Sequence, residues 1–357
     1  MKILLLSPYD AISHRYWYAG LVARLDQHDF TVVTLPARYF SWRFRGNSLS
    51  LAFDARLDGD WELIIATSMT DLSALMGMRP ALAGVRSLLY FHENQFAYPE
   101  QGDTQHQVER QMTSLYAALS ADQLVFNSLF NQSTFLAGVQ QLLARLPDHV
   151  PAGLVDKLRL KAKVLPVPLW SDSFVQAPTR GPVTARLSIV WNHRWEYDKG
   201  VVELLDLVTV LLASDLNFEF HLIGQSFRHI PPPLVRVRTL LNDAGRLGTS
   251  GYIASREDYI ALLGSAHVVL STAIHEFQGI AVLEAIAAGC LPVVPDALAY
   301  QDFIPAAWRY TDQADALEML MNIAAARAGG QLLVAPDVTY LDWSQQRKAW
   351  ETLLAGL

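Results

Sequence analysis

Two carboxylates eight positions apart bracket the start of a helix in His275-Glu276-Phe277-Gln278-Gly279-Ile280-Ala281-Val282-Leu283-Glu284. The buried-strand run Val268-Val269-Leu270-Ser271 precedes this stretch, Gly289 closes the helix, and Leu291-Pro292-Val293-Val294 reads as the next strand. The helix start therefore falls at the carboxyl edge of a sheet, where free backbone N–H groups from Gly279 and Ile280 onward suit a phosphate. A carboxylate beside a phosphate is repelled unless it accepts hydrogen bonds from hydroxyls. Two of them flanking one cradle suggest a nucleotide-sugar, with Glu276 on the sugar and Glu284 on the ribose. The plain alternative is a solvated loop carboxylate and a surface helix residue.

A second stretch, Trp191-Asn192-His193-Arg194-Trp195-Glu196-Tyr197-Asp198-Lys199-Gly200, also links a strand to a helix. Arg194 and Lys199 there could hold a diphosphate and stabilise it as negative charge builds during departure. Alternatively, Arg194 pairs with Glu196 or Asp198 in a solvated turn. A third, Leu88-Leu89-Tyr90-Phe91-His92-Glu93-Asn94-Gln95-Phe96-Ala97-Tyr98-Pro99, crowds polar and aromatic groups onto a strand end, the usual place for a site in an open α/β sheet. Taken alone, His92 reads equally as a buried histidine bonded to backbone.

The elements that must position these groups follow an alternating grammar. The spacing predicts strands at 2–7, 30–36, 63–67, 87–92, 123–128 and 163–168, with helices at 14–25, 105–119 and 129–146. The second half repeats the pattern, with strands at 187–192, 218–224, 267–271 and 291–295 and helices at 201–212, 233–241, 256–263 and 279–288. Prolines 166, 168, 178 and 182 mark a boundary between the halves. This organisation gives an N-terminal Rossmann-like domain at 1–170, a linker at 171–185, a C-terminal Rossmann-like domain at 186–340 and an amphipathic last helix within 341–357. Two such domains facing a cleft is the α/β architecture expected, with ligands at the carboxyl ends of the strands.

Composition narrows the class. A chain of 357 residues exceeds one ordinary core and suits two domains. With 51% apolar residues and 18% charged, it reads as soluble and globular. The apolar run after Met1-Lys2 is short for a signal peptide, no segment approaches a membrane span, and Cys290 is alone. A cytoplasmic protein without disulfides is expected. The net charge of −7 argues against indiscriminate binding to nucleic acid, although local basic patches remain open. One candidate is Arg38-Tyr39-Phe40-Ser41-Trp42-Arg43-Phe44-Arg45, where Arg38, Arg43 and Arg45 interleave with aromatics. Its aromatics could equally pack on the core beneath solvated arginines. The run from Lys157 to Lys163 reads as a solvated edge. Asp58-Gly59-Asp60 is ordinary turn chemistry, and no Cys/His clustering suggests a metal.

Glu276 and Glu284, in an E-x7-E pattern with Arg194 and Lys199 upstream, resemble the retaining GT-B glycosyltransferases of family four. Ser7-Pro8-Tyr9, Ser13-His14, Phe91-His92-Glu93-Asn94-Gln95 and the 191–199 stretch are similar, more narrowly, to the tRNA-queuosine alpha-mannosyltransferases. The resemblance implies a GT-B fold whose last helix crosses back to the N-terminal domain. It implies transfer of mannose from GDP-mannose to the cyclopentenediol of queuosine in tRNA(Asp), with no metal or other cofactor and no membrane partner. It implies that Glu276 contacts donor hydroxyls, Glu284 the ribose, and Arg194, Lys199, Gly279 and Ile280 the diphosphate. His92 would reach the sugar near the reacting carbon. Many family-four enzymes carry paired glycines after the first strand, where this chain has Asp10-Ala11-Ile12-Ser13. Ser13 and His14 would there substitute side-chain contacts, joined on the acceptor side by Glu93, Asn94, Gln95, Arg38, Arg43 and Arg45. Family-four enzymes acting on a lipid, saccharide or small acceptor, and a non-catalytic tRNA- or nucleotide-binding relative, are the competing readings.

Overall fold

A computed structural model describes residues 1–97, 104–174, 186–226 and 228–357. Tyr98, Pro99 and the prolines at 178 and 182 lie outside the described residues. The chain forms two compact units, Met1–Pro168 with Trp343–Leu357, and Leu169–Asp342.

In the first unit, β1 (Lys2–Ser7), β2 (Asp29–Thr34), β3 (Leu63–Thr67), β4 (Arg86–Phe91), β5 (Gln123–Phe126) and β6 (Ala162–Val164) form a parallel sheet ordered β2-β1-β3-β4-β5-β6. Its strands are near-continuous apolar runs, as they must be when both faces are covered. One face carries Leu4, Leu6, Ile64, Ala66, Leu89 and Phe91 into a core with Phe126 and Phe135. The other packs Tyr90 against Trp17 of the helix Ile12–Arg24 and Trp350 of the last helix, Trp343–Ala355. Gly20 is required there, because a Cβ would lie 2.5 Å from the Trp343 indole. The last helix thus belongs to the first unit, although 174 residues of the second precede it in the chain.

In the second unit, β7 (Leu187–Asn192), β8 (Phe218–Ile223), β9 (Leu247–Gly251), β10 (Val268–Leu270), β11 (Leu291–Pro295) and β12 (Arg309–Tyr310) form a parallel sheet ordered β12-β11-β10-β7-β8-β9. This is the doubly wound dinucleotide-binding order, with its switch point between β7 and β10. Leu169 and Asp342, the unit's first and last residues, run side by side in a parallel bridge. Ser255 and Asp312 cap the helices Arg256–Ser265 and Gln313–Ala328 through side-chain acceptors, the local signal that starts each.

Several elements depart from the sequence reading. Residues 40–52 form a helix, Phe40–Ala52, where the sequence reading placed no element. Its inward face includes Asn47 and Ser48, which hide the apolar period. Asn47 is buried because its amide serves the Arg43, Phe44 and Met69 carbonyls and the Asp71 N–H. The predicted strand at 163–168 shrinks to Ala162–Val164, since the prolines that follow cannot donate to a ladder. The helix Gln313–Ala328, which buries Ala316, Leu320 and Ile323, was not expected.

Candidate functional site

Both stretches that flank the expected phosphate cradle leave the switch point of the second sheet, one after β7 and one after β10. They are fastened together by backbone. Ile274 and His275 N–H groups donate to the Asp198 carbonyl at 3.1 Å, and Thr272 Oγ1 donates to the Lys199 carbonyl at 3.0 Å. Trp191 Nε1 in turn donates to Thr272 Oγ1 at 3.0 Å. Gly200, in the left-handed region at φ 66°, permits this approach: a Cβ there would sit 1.6 Å from the Thr272 carbonyl oxygen. Gly224 does the same for His193, whose carbonyl oxygen would lie 1.7 Å from a Cβ.

Lys199 is buried at the centre. Its Nζ donates to the His275 carbonyl at 2.9 Å and to Glu276 Oε2 at 3.2 Å, and lies 3.1 Å from Asp198 Oδ2. Glu276 Oε1 accepts from the Phe277 and Gln278 N–H groups at 3.1 and 3.4 Å. Burial alone would raise the Glu276 pKa, but the Lys199 charge, with hydrogen bonds from Lys199 and the Gln278 N–H, prevails and holds it at about 2. Burial, reinforced by the Lys199 charge, pushes His193 down to about 3 and keeps it neutral. Glu276 is therefore a fixed anion, suited to accepting hydroxyl hydrogen bonds and unsuited to donating a proton near neutrality.

Arg194 lies partly exposed beside this pair, 2.9 Å from Glu196 and 3.6 Å from Asp198. Its turn pairing, one of the two sequence alternatives, is what the resting geometry displays. Gly279 caps the helix Ile280–Ala287 at φ 80°, with Tyr300 filling the space a side chain would need. Glu284 faces inward from that helix rather than to solvent. Its Oε1 accepts from Arg256 Nη1 at 2.6 Å and Ser173 Oγ at 3.4 Å, and its Oε2 from the Tyr259 hydroxyl at 2.9 Å. Arg256 also pairs with Asp172 at 2.8 Å, and Asn192 Nδ2 donates to the Tyr259 oxygen at 2.7 Å. The reading of Glu284 as a surface helix residue is excluded, and a ribose would have to share or displace these protein donors. Asp198, Arg256 and Tyr259 contact the candidate residues, and sequence reasoning gave them no role in the site. Asp198 lay inside the 191–200 stretch; the other two sit in a helix with no distinguishing spacing.

The first unit holds a separate cluster at the carboxyl ends of β1, β4 and β5. The His14 and His92 rings stack at 4.2 Å between centroids, and His14 Nε2 lies 3.4 Å from Glu93 Oε2. His92 is buried against Trp17 and Tyr90, and burial, then the neighbouring His14, holds its pKa well below the usual range. Asn127 Nδ2 donates to the His92 carbonyl, while Asn131 joins Asn127 and Asn94. Asn94 receives the Phe96 and Ala97 N–H groups and donates to Asn131 and Thr134. Its amide thus shapes the loop that carries Glu93 and Gln95. Gln95 is buried beside it and Ser13 is exposed in the first turn of its helix. Arg38 stacks over Tyr39, Arg43 Nε donates to the Pro36 carbonyl and Arg45 donates to Thr113. Among the described residues no group of three or more His, Cys, Asp and Glu is arranged to hold a metal ion, and no helix is long and apolar enough to cross a membrane.

Comparison with known proteins adds four findings. Residues 2–169 match the family model described as tRNA-queuosine alpha-mannosyltransferase N-terminal. The tRNA-queuosine alpha-mannosyltransferase of Drosophila melanogaster is 32% identical over 310 residues, covering 85% of this chain and 81% of that protein. The GDP-mannose:cellobiosyl-diphosphopolyprenol alpha-mannosyltransferase of Xanthomonas oryzae is 28% identical over 119 residues, 33% of this chain and 30% of its own. In three dimensions the chain superposes on Anabaena HepE in complex with UDP and glucose, TM-score 0.68 at 14% identity, covering both chains fully. The fold is that of the GT-B glycosyltransferases.

Proposed function

This chain belongs to the tRNA-queuosine alpha-mannosyltransferase family, and on that premise we propose that it moves mannose from GDP-mannose to the cyclopentenediol of queuosine in tRNA(Asp), with retention at the anomeric carbon. The observation that carries this reading is the 32% identity to the fly enzyme across most of both chains. The geometry of the second unit supports it. Glu276, anionic and held by Lys199, is suited to orienting sugar hydroxyls. Arg194 and the N–H groups of Gly279 and Ile280 are suited to a diphosphate, with Lys199 lowering the cost of anionic charge nearby. Glu284, through its network, would fix the ribose side. His92, by its resemblance to the family's histidine, is assigned to the sugar near the reacting carbon, and its neutrality lets it accept or donate one hydrogen bond there.

A retaining transfer of this kind runs on one face of the sugar. The acceptor hydroxyl attacks from the side on which the diphosphate leaves, and a phosphate oxygen of the leaving group takes the hydroxyl proton. The C–O bond to phosphate breaks, the new glycosidic bond forms, and GDP departs with the proton. Glu276, already ion-paired and far from neutral pKa, is then an electrostatic and orienting group rather than a nucleophile.

The test is incubation with queuosine-containing tRNA and GDP-mannose, followed by mass analysis of the released nucleosides. A hexose increment on queuosine is expected, and it should be absent with UDP-glucose as donor. No increment with GDP-mannose would defeat the proposal.

A further inference from the structure

Trp42 lies on its own helix in a way that exposes one face of its ring. A Cβ built on Gly46 would meet Trp42 Cη2 and Cζ3 at 2.6 Å and Cε3 at 2.8 Å. Three consecutive ring carbons at nearly equal distance place that point over the face of the ring, since an edge-on approach would leave the outer two well behind. The indole is therefore seated flat on the backbone at Gly46, one turn along, and only glycine allows it. With its inner face on the helix, Trp42 remains 52% exposed. Leu49 and Phe53, the latter 82% exposed, continue the same stripe at helical spacing. Tyr39, 71% exposed and held at φ 54°, precedes the helix under the Arg38 guanidinium.

The charge along this segment of the chain is one-signed up to Phe53. From residue 30 to 53 there is no Asp or Glu, in a chain with 35 of them, while Arg38, Arg43 and Arg45 fall in this span. Among the described residues none of the three makes an ion pair; their bonds go to a ring, a backbone carbonyl and a threonine hydroxyl. Flat, pinned aromatic surface with unneutralised guanidinium beside it is the chemistry that recognises unpaired nucleotides, by stacking on the base and by charge on the phosphate.

We propose that Trp42, seated on Gly46 and flanked by Arg38 and Arg43, is a stacking platform for an unpaired base of a single-stranded RNA loop. The platform rests on the tRNA reading above for the identity of that RNA, and names the surface that holds the loop. Pre-organisation is its point: the ring is fixed before RNA arrives, so little rotamer entropy is lost on stacking.

The experiment measures binding of a fluorescein-labelled anticodon stem–loop RNA by anisotropy, in the full-length protein. Trp42→Ala is expected to weaken binding roughly 10-fold, within the range one base–aromatic stack carries. Trp42→Phe keeps a planar ring and is expected to stay within about 3-fold of wild type. Gly46→Ala, which leaves Trp42 in the chain but lifts it from its seat, is expected to weaken binding in the same direction as Trp42→Ala. Arg38→Ala should lower the salt dependence of log Kd by about one counterion. Unchanged affinity in Trp42→Ala, or no RNA binding by the wild-type protein, overturns the platform. Trp42-dependent binding without mannose transfer to queuosine would instead overturn the proposed activity and leave the platform standing.

Discussion

Lys199 and Glu276 form an ion pair of 3.2 Å between two loops that leave neighbouring strands at the switch point of one sheet. Lys199 also lies 3.1 Å from Asp198, a carboxylate it shares with Arg194 at 3.6 Å. This arrangement separates two consequences of mutation that motif reading alone would merge. Glu276→Ala removes a carboxylate and leaves Lys199 with Asp198, so transfer should fall by several orders of magnitude while the fold survives. Lys199→Ala takes the paired cation from the partly buried Glu276 carboxylate, while Asp198 keeps Arg194, and should cost about 3–5 kcal/mol of stability besides abolishing transfer. Turnover together with urea unfolding midpoints for both variants checks this; near-wild-type turnover in either would refute the assignment.

Gly200 and Gly245 share nearly the same positive φ, 66° and 64°, but only Gly200 faces a neighbour. Gly245→Ala should cost about 1–2 kcal/mol, the strain of the left-handed region alone. Gly200→Ala should cost well above that, because the Thr272 carbonyl must move and with it the junction between the loops. Thermal unfolding of the two variants provides the comparison, and equal losses would contradict the close approach.

Acid should loosen the second unit in two stages. His193 titrates near about 3 when folded against an ordinary 6.5, so between those values the unfolded chain binds more protons and stability falls as pH falls. Glu276, held near about 2 against 4.5, adds a loss of the same sign below pH 4.5. Stability is therefore expected to be fully present above about pH 6.5 and to decline steadily below it, by on the order of 1 kcal/mol per pH unit for each group within its window. In His193→Asn the decline between pH 6.5 and 4.5 should be shallower. An unaltered slope would remove His193 from the account.

Glu284 is expected to act on stability as well as on donor binding. Glu284→Ala leaves the Arg256 guanidinium and Tyr259 hydroxyl without their shared acceptor, and should cost about 2–4 kcal/mol. Arg256→Met should raise the KM for GDP-mannose with a smaller effect on kcat, since it disturbs the placement of Glu284 rather than the reacting carbon. A Glu284→Ala protein as stable as wild type would show that the network contributes nothing to the fold.

Ending the chain after Asp342 should unfold the first unit although the deletion is distant in sequence from it. Trp343 and Trp350 are buried there against Gly20, Trp17 and Tyr90. Loss of two such indoles costs several kcal/mol, and limited proteolysis should then cut preferentially within residues 1–168. Resistance equal to the full chain would contradict this packing.

Where local chemistry decides, sequence was enough. The strands at Lys2–Ser7 and Leu63–Thr67 were legible to the residue, because a parallel strand covered on both faces must be an uninterrupted apolar run. The phrases around Lys199 and Glu276 were legible for a related reason: polar residues between a strand and a helix can only stand at the sheet's carboxyl edge. What sequence could not determine was which polar groups meet. Asn47 looks like a helix breaker until Met69 and Asp71 supply its partners, and Glu284 looks like a surface residue until Arg256 and Tyr259 close on it. Likewise, the last helix is visibly amphipathic, but that it packs on Gly20 was decided by shape. Periodicity and capping are properties of neighbours along the chain. Burial of a charge or an amide depends on partners brought in by tertiary packing, and for Glu276 that partner, Lys199, lies 77 residues earlier.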